Sequence, residues 1–166
     1  MYDSRFEPVL LTNGLLIPKY IDKIPRNMEV QVSLDGRKEV NDFLRGKGVH
    51  DKVIEAIKCL RDAGIEFGIA MVLCSHTVNE IPYLLRIAKE YGARFLHINY
   101  LRYDVGEVKA LPLAEYWKIV MRYFPVALLM GISMSMPPSS RSYCYAGCKV
   151  FCITPDLRYT VCTHYL

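Results

Sequence analysis

The chain has 166 residues, of which 52% are hydrophobic, and it carries a net charge of +4. This length accommodates one domain with a large core, or one domain and the start of a second. No run reaches the roughly 18 consecutive apolar residues of a membrane span, and residues 1–14 lack the pattern of a secretory signal. Lysine and arginine are spread along the chain, which argues against nucleic acid as a partner. The sequence is therefore expected to encode a cytoplasmic protein with no membrane partner.

The six cysteines are unevenly placed. Two stand singly within apolar segments, and the other four lie near the C-terminus: Cys144, Cys148, Cys152 and Cys162. In a reducing compartment, grouped thiols more often bind a metal or carry out redox chemistry than form disulfides. The C-terminal group is therefore a candidate metal site.

The first elements predicted along the chain are short. Residues 9–12 form an apolar run that stops at Asn13 and Gly14, a strong turn signal, and they predict a buried strand followed by a loop. Residues 18–24 predict a brief helix that ends at a proline. The next strand is predicted over residues 28–34.

The stretch VQVSLDG at residues 30–36 lies at the end of that strand and has two different faces. Its apolar residues alternate with Gln31, Ser33 and Asp35, and a glycine follows. In an α/β barrel, a strand buries its apolar face under helices and aims its polar face inward, with the site at its carboxyl end. Ser33 and Asp35 are therefore candidates for the mouth of such a site.

The elements after this strand alternate between helix and strand. Residues 37–50 are charged and rich in glycine, and they predict a loop long enough to fold over a ligand. An amphipathic helix begins at Val49 and ends at the cap residue Gly64. Residues 67–74 are almost continuously apolar, as expected of a parallel strand that is covered on both faces.

A further helix and strand follow. The helix begins with Asn79 as the favoured N-cap residue and ends at Gly92. Residues 95–100 predict a strand on which His97 and Asn99 face the same interior as the polar side chains of VQVSLDG. This pair can contact a substrate, although a histidine whose hydrogen bonds are satisfied within the interior fits the pattern equally well.

The alternation of strands and helices with short connections predicts parallel βα units. A helix over residues 113–124 and a strand over residues 126–134 continue it. The predicted fold class is α/β, with a partial parallel (β/α) barrel over residues 1–134. Residues 135–166 form a proline- and serine-rich linker and the beginning of a small cysteine-rich module.

This C-terminal module is predicted to contain a β-hairpin. Residues 150–154 and 159–162 are β-like, and residues 155–158 between them form a turn. Such a hairpin brings Cys162 back towards the cysteines that precede it.

Taken together, these stretches resemble the radical S-adenosylmethionine enzymes that continue into a C-terminal auxiliary iron-sulfur domain of the SPASM or twitch type. The resemblance covers nearly the whole chain and implies about strands three to six of the family's barrel. It rests on the following segments in order: LLTNG at 10–14, VSLDG at 32–36, LRGKG at 44–48, VIEAIKCLRDAGI at 53–65, TVNEI at 77–81, and CYAG, ITPD and Cys162 in the tail.

The resemblance implies S-adenosylmethionine as a cofactor. Ser33 resembles the family serine that contacts the nucleoside, and Arg45 resembles the arginine that meets the methionyl carboxylate, a task suited to a planar guanidinium. Asn13 and Asp35 are further candidate contacts at the same mouth. The alternatives are local structure, namely a turn residue at Asn13, a cap at Asp35 and a solvated side chain at Arg45.

The resemblance also implies an auxiliary [4Fe-4S] cluster. Cys144 and Cys162 match its cysteine pattern, and thiolates are the ligands that iron-sulfur clusters use. Cys148 and Cys152 are not assigned by the pattern and are either extra ligands or core thiols. Four thiols can also form a tetrahedral zinc site. Leu157 stands where the family usually has glycine, which leaves the type of the hairpin turn open.

The Cys-x3-Cys-x2-Cys triad that gives the family its radical chemistry is absent. Cys144, Cys148 and Cys152 have three residues in both gaps and lie in the wrong part of the chain. The sequence therefore looks like an enzyme without its first two βα units, through truncation, a late start codon or residence on another chain. The open strand edge at residues 9–12 is expected to pair with the missing segment, a second chain or a second copy.

The expected function is the C-terminal part of a radical enzyme that modifies a peptide or matures a cofactor and is inactive alone. A peptide or a small molecule would be its substrate, and a molybdenum-cofactor type of enzyme is a variant that fits the tail less well. The alternatives are a non-catalytic iron-sulfur or zinc protein that uses the C-terminal cysteines, and an ordinary barrel fragment whose cysteines are core residues.

Overall fold

The computed structural model describes residues 8–135, 152–153 and 158–160. Among these residues, five strands form one sheet in chain order, and each pairs in parallel with the next. An order without reversal is that of a (β/α) barrel and not of a doubly wound sheet. The predicted α/β class and partial parallel barrel are confirmed. The strands are β1 (Val9–Thr12), β2 (Glu29–Ser33), β3 (Phe67–Leu73), β4 (Phe95–Tyr100) and β5 (Ser133–Ser135).

The connections between these strands contain helices that form one layer. Helices α1, α3, α4 and α5 contact one another in that order, and they pack on the apolar face of the sheet. The helices are α1 (Ile17–Tyr20), α2 (Lys38–Arg45), α3 (Val49–Asp62), α4 (Ile81–Tyr91) and α5 (Leu113–Leu129), with a 3₁₀ turn at Ile21–Lys23. No helix in the part of the chain that the structure describes is long and apolar enough to cross a membrane.

Helix α3 follows from its amphipathic sequence. Val53, Ile57 and Leu60 are fully buried, whereas the charged residues between them face water. The helix ends where Gly64 adopts a φ of +66°, a conformation that glycine adopts without a steric penalty. The Ile65 N–H then bonds the Leu60 carbonyl oxygen, so the predicted glycine cap is confirmed.

Aromatic side chains fix α5 to the sheet. Tyr116 is fully buried, and its hydroxyl donates a hydrogen bond of 2.8 Å to the Ile98 carbonyl oxygen in β4. Tyr100 packs edge-on against its ring, with 5.2 Å between the centroids. Burial raises the pKa of Tyr116 to about 12, so its hydroxyl remains a protonated donor at neutral pH.

The two faces of the sheet have different environments. The face towards the helices is fully buried at Val32, Ile69 and Leu96, whereas the opposite face, here called the inner face, is only partly covered by described residues. The register places Ser33 beside Ala70 and Ala70 beside His97. Since paired residues project to the same side of a sheet, the prediction that the polar pair of β4 shares a face with Ser33 is confirmed.

Strand β1 corrects one expectation. It was predicted to be buried, yet Val9 and Leu11 are 49% and 63% exposed. The reason is that both side chains lie on the partly covered inner face and that β1 is an edge strand, which pairs only with β2 among the described strands.

The segment after β2 contains helix α2, so the prediction of a loop is wrong for Lys38–Arg45. The glycines that suggested a loop lie at helix ends: Gly46 follows α2, and Gly48 precedes α3. The Asp42 carboxylate accepts the N–H groups of Gly48 and His50, which joins the end of α2 to the start of α3. Charge and glycine content therefore mark a junction between two helices.

Helix α5 continues through Pro125, and β5 begins only at Ser133, so the strand predicted over residues 126–134 is wrong in its first half. Pro125 removes one N–H from the helix without ending it. The helix stops near Gly131, whose φ of +72° turns the chain so that the next N–H bonds the Ala127 carbonyl oxygen. A glycine, and not the proline, ends this helix.

The start of α4 also differs from the prediction. Its N-cap residue is Glu80, not Asn79, and it makes no side-chain capping bond. Thr77 is engaged in the turn after β3, where its hydroxyl accepts the Cys74 N–H and donates to the Val72 carbonyl oxygen. The Thr77 hydroxyl therefore stabilises the turn after β3 and does not cap α4.

In the tail, β6 (Cys152–Ile153) pairs antiparallel with β7 (Tyr159–Thr160). The predicted hairpin pairing is confirmed over these residues. Cys144, Cys148 and Cys162 and most of the predicted turn lie outside the described residues, as does the predicted linker from residue 136 onwards.

Candidate functional site

The carboxyl ends of the parallel strands lie along one edge of the sheet, where a barrel carries its active site. Ser33 ends β2 and Asp35 follows it closely, while Asn13 comes directly after β1. Arg45 ends α2, and its side chain returns to Asp35. The structure thus brings the candidate contacts predicted from the sequence to this edge.

Asp35 joins three elements at this edge. It is only 3% exposed, its Oδ2 accepts the Arg45 Nε–H at 2.6 Å, and its Oδ1 accepts the backbone N–H of Val72 in β3 at 2.8 Å. Its own N–H donates to Oδ1 of the buried Asn41 in α2 at 3.0 Å. Asp35 is therefore not a helix cap, since the N-cap residue of α2 is Arg37.

Arg45 is held by this carboxylate and is not a freely solvated side chain. Its side chain is 26% exposed, and the bond to Asp35 uses Nε. Its two terminal nitrogens bond no described residue. A guanidinium whose Nε is occupied retains a fork of two terminal nitrogens, which matches a carboxylate. This fork fits the carboxylate contact that the family resemblance implies for Arg45.

Ser33 is half-buried on the inner face, and its hydroxyl bonds no described group. Ala70 lies between it and His97, so strand spacing puts the two polar residues roughly 10 Å apart. Burial lowers the pKa of His97, an effect that a hydrogen bond with the Asn99 side chain opposes. The imidazole is therefore neutral near pH 7, and the inner face beside Ser33 is polar without a fixed positive charge at His97.

Asn13 is exposed and makes a local turn. Its Oδ1 accepts the Leu15 N–H at 3.2 Å, which is the bond of an Asx turn. The side-chain oxygen of Asn13 therefore has the role of a turn residue, which was the alternative to a ligand contact. The amide nitrogen of Asn13 bonds no described residue.

Glu80 is a buried residue of this edge that was not among the site residues predicted from the sequence. It is 3% exposed, its Oε2 accepts the Arg37 N–H, and its Oε1 accepts the Arg37 guanidinium, both at 2.7 Å. A Cβ at Gly36 would lie 2.5 Å from the Glu80 Cγ, so only glycine allows this approach. No sequence signal indicates this role, because Arg37 and Glu80 lie 43 positions apart and meet only through the fold.

An aromatic ring covers the inner face near the amino ends of β3 and β4. Gly68 in β3 has no side chain, and a Cβ there would lie 2.1 Å from Cε2 of Phe95 in β4. The ring covers the backbone next to the row that contains Ser33 and His97.

A groove of about 590 Å³ lies away from these residues. It is bordered by the turn before α4 and by α5, and none of the predicted site residues lines it; among its lining residues are Asn79, Glu115, Lys118, Arg122 and Tyr123. Among the described residues, no group of three or more histidine, cysteine or acidic residues could hold a metal ion. The predicted metal ligands Cys144, Cys148 and Cys162 lie outside those residues, and Cys152 is described in its backbone only.

No protein-family model matches the sequence. The chain is 38% identical over 96 residues to the mycofactocin maturase MftC of Mycolicibacterium smegmatis, covering 55% of this chain and 24% of that protein. It is 35% identical over 105 residues to the AdoMet-dependent heme synthase of Methanosarcina barkeri, covering 60% and 30%. The chain therefore spans less than a third of the length of these curated relatives.

Solved structures share the fold. The S-adenosylmethionine complex of SuiB from Streptococcus suis has a TM-score of 0.76 at 15% identity, covering 98% of this chain and 44% of that chain. The complex of anSMEcpe with AdoMet and the Kp18Cys peptide has a TM-score of 0.60 at 25% identity, covering 77% and 39%. A radical SAM methyltransferase from Sphaerobacter thermophilus has a TM-score of 0.56 at 14% identity, covering 81% and 40%. By sequence similarity and by fold together, the chain is similar to part of the radical S-adenosylmethionine enzymes, and its sheet corresponds to part of their barrel.

Proposed function

We propose that this chain supplies an S-adenosylmethionine-binding wall of a radical enzyme. The observation that carries the proposal is the pair of Ser33 and Arg45 at the carboxyl edge, since each keeps polar atoms without a described partner. Ser33 would bond the nucleoside, and the Arg45 fork would bind the methionyl carboxylate. Asn13 and Asp35 complete this end of the site. When bound beside a reduced iron-sulfur cluster, S-adenosylmethionine supplies the radical chemistry.

The substrate that we propose is a peptide or a cofactor precursor. The similar proteins include a mycofactocin maturase and a heme synthase, and the SuiB and anSMEcpe structures include complexes with peptides. On this chain, the polar inner face around His97 and Asn99 is where such a substrate would approach the nucleoside. We place this function in the cytoplasm.

The proposal is tested by equilibrium dialysis of the 166-residue chain against S-adenosylmethionine. Arg45→Gln is expected to weaken binding by 10-fold or more because the carboxylate loses a bidentate, charge-assisted partner worth about 1.5–3 kcal/mol. Ser33→Ala is expected to weaken it several-fold.

The matched control is Arg61→Gln, which removes an arginine that pairs with Asp62 on the exposed surface of α3. It should bind as the unchanged chain does. Absence of binding by the unchanged chain, or equal loss in Arg61→Gln, would contradict the proposal. Because the sequence contains no Cys-x3-Cys-x2-Cys triad, we further propose that this chain alone forms no 5'-deoxyadenosine after anaerobic reconstitution and reduction.

The second candidate is a metal-binding function of the C-terminal cysteines. It is favoured by the antiparallel pairing of Cys152 with Thr160, which lies two residues before Cys162. We propose Cys144, Cys148, Cys152 and Cys162 as ligands of an auxiliary [4Fe-4S] cluster in a module over residues 135–166, with zinc as the alternative. Metal analysis and the absorption spectrum of anaerobically purified protein separate iron-sulfur, zinc and metal-free forms.

A further inference from the structure

The Asp35 carboxylate is fully engaged within the protein. One oxygen accepts the Arg45 Nε–H at 2.6 Å and the other accepts the Val72 N–H at 2.8 Å, while the side chain is only 5% exposed. A ligand therefore has little access to this carboxylate. An approaching ligand carboxylate would also be repelled by it. Any effect of Asp35 on a ligand must pass through a residue that it holds.

Arg45 is that residue. A free arginine side chain has many rotamers, and ordering it costs conformational entropy. The bond from Nε to Asp35 fixes the plane of the guanidinium before a ligand arrives. It also leaves the two terminal nitrogens as the edge that can accept a bidentate carboxylate.

We propose that Asp35 is a positioning residue that makes this site selective for nucleosides with an amino-acid carboxylate. It acts by presenting the Arg45 fork and not by contacting the ligand, and the inference rests on the proposed function of the site. Removing the Asp35 charge makes the site more positive, which by itself would favour an anionic ligand. Because Arg45 is partly exposed and its field is screened by water, we expect the loss of positioning to outweigh this gain.

The test compares two probes that share a thioadenosine group. S-adenosylhomocysteine carries the amino-acid carboxylate, whereas 5'-methylthioadenosine has a methyl group on sulfur in place of the whole aminocarboxypropyl chain. The unchanged chain is expected to bind the first at least 10-fold more tightly in isothermal titration. Asp35→Asn should reduce this ratio to within about twofold of that of Arg45→Gln, and it should leave the affinity for 5'-methylthioadenosine within twofold.

The matched control is Asp62→Asn, which removes the carboxylate of an exposed aspartate-arginine pair with a bond of 2.8 Å. It should leave the ratio unchanged. If Asp35→Asn keeps the ratio, raises it, or weakens both probes equally, the positioning role is overturned while the proposed function stands. If the unchanged chain binds neither probe, the proposed function fails and the inference falls with it.

A second variant keeps the inference testable if Asp35→Asn does not fold, which circular dichroism would reveal. Arg45→Lys retains the positive charge next to Asp35 but lacks the pair of parallel N–H donors that could bind a ligand carboxylate in a bidentate way. It is expected to lose the preference for S-adenosylhomocysteine and to keep its affinity for 5'-methylthioadenosine. Retention of the preference would show that a point charge suffices, which would overturn the role assigned to the Asp35 bond.

Discussion

Gly68 and Phe95 show how single residues shape the inner face. A glycine within a strand normally weakens it, because the backbone of the unfolded chain has more freedom and no side chain packs there. The Phe95 ring of β4 occupies the space that a side chain at Gly68 of β3 would need. A Cβ at Gly68 would lie only 2.1 Å from this ring. The two residues therefore act as one packed unit, and the ring lies beside the polar row that contains Ser33.

We expect Gly68→Val to destabilise the chain by about 1–3 kcal/mol, the typical cost of forcing extra atoms into a packed site. The valine would displace the Phe95 ring, and the change is measured as the free energy of unfolding in urea. Adding Phe95→Ala should recover part of the loss, since the clash then disappears. If the losses in the free energy of unfolding of the two single variants simply add in the double variant, the two residues do not act as one packed unit.

At the level of residues, the sequence predicted positions better than bonding. Alternation along β2 placed Ser33 on the correct face, and alternation along β4 did the same for His97. The partners of Asp35 were not predictable, because Arg45 and Val72 lie 10 and 37 positions away and come together only through the fold. For the same reason the contact between Glu80 and Arg37 was missed.

Two buried carboxylates connect the segment that follows β2 with β3 and the turn after it. Asp35, which follows β2, accepts the N–H of Val72 in β3. Glu80, which follows β3, accepts the N–H of Arg37 at the start of α2. The Asp35 carboxylate, after β2, thus accepts a backbone N–H of β3, and the Glu80 carboxylate, after β3, accepts a backbone N–H of the segment that follows β2. This reciprocal bonding fixes the turn between β2, which ends at Ser33, and α2.

Glu80→Gln should loosen this turn. Glutamine retains one acceptor oxygen, so either the Arg37 N–H or its guanidinium loses its partner. We expect a loss of about 1–2 kcal/mol in the free energy of unfolding, since bonds to a charged group contribute more than neutral ones. Hydrogen exchange at the Arg37 N–H should also become faster.

The control for this change is Glu39→Gln, which alters an exposed glutamate in the first turn of α2. It is expected to change the free energy of unfolding by less than about 0.5 kcal/mol. The reciprocal bonding would be refuted if both variants had the stability and the amide exchange of the unchanged chain.

Among the elements, periodicity identified those whose apolar faces are continuous. It located α3, α4, β2 and β4, because burial on one side imposes a regular pattern, whereas continuous apolar runs located β1 and β3. It missed α2, a short helix in which half of the residues are charged and Phe43 is exposed. It also read the end of α5 as a strand, since Leu128 and Leu129 are apolar but exposed and give no helical stripe.

At the scale of the whole molecule, the sheet has an apolar edge. On the inner face of β1, Val9 and Leu11 are exposed, and no described strand pairs with the outer side of β1. An edge with free backbone groups and apolar side chains is prone to pair with another strand. In a longer protein the same edge would suit a further barrel strand, and in this chain alone a second copy is the available partner.

We therefore expect the 166-residue chain to self-associate through β1, with an apparent mass in sedimentation velocity that rises with concentration. Leu11→Lys should shift the chain towards the monomer, because a charged side chain on an edge strand opposes pairing and removes apolar contact area. Leu129→Lys is the matched control, since Leu129 is 89% exposed on α5 and lies outside the sheet. A chain that stays monomeric at all concentrations, or an equal response of the two variants, would show that the β1 edge is not the contact surface.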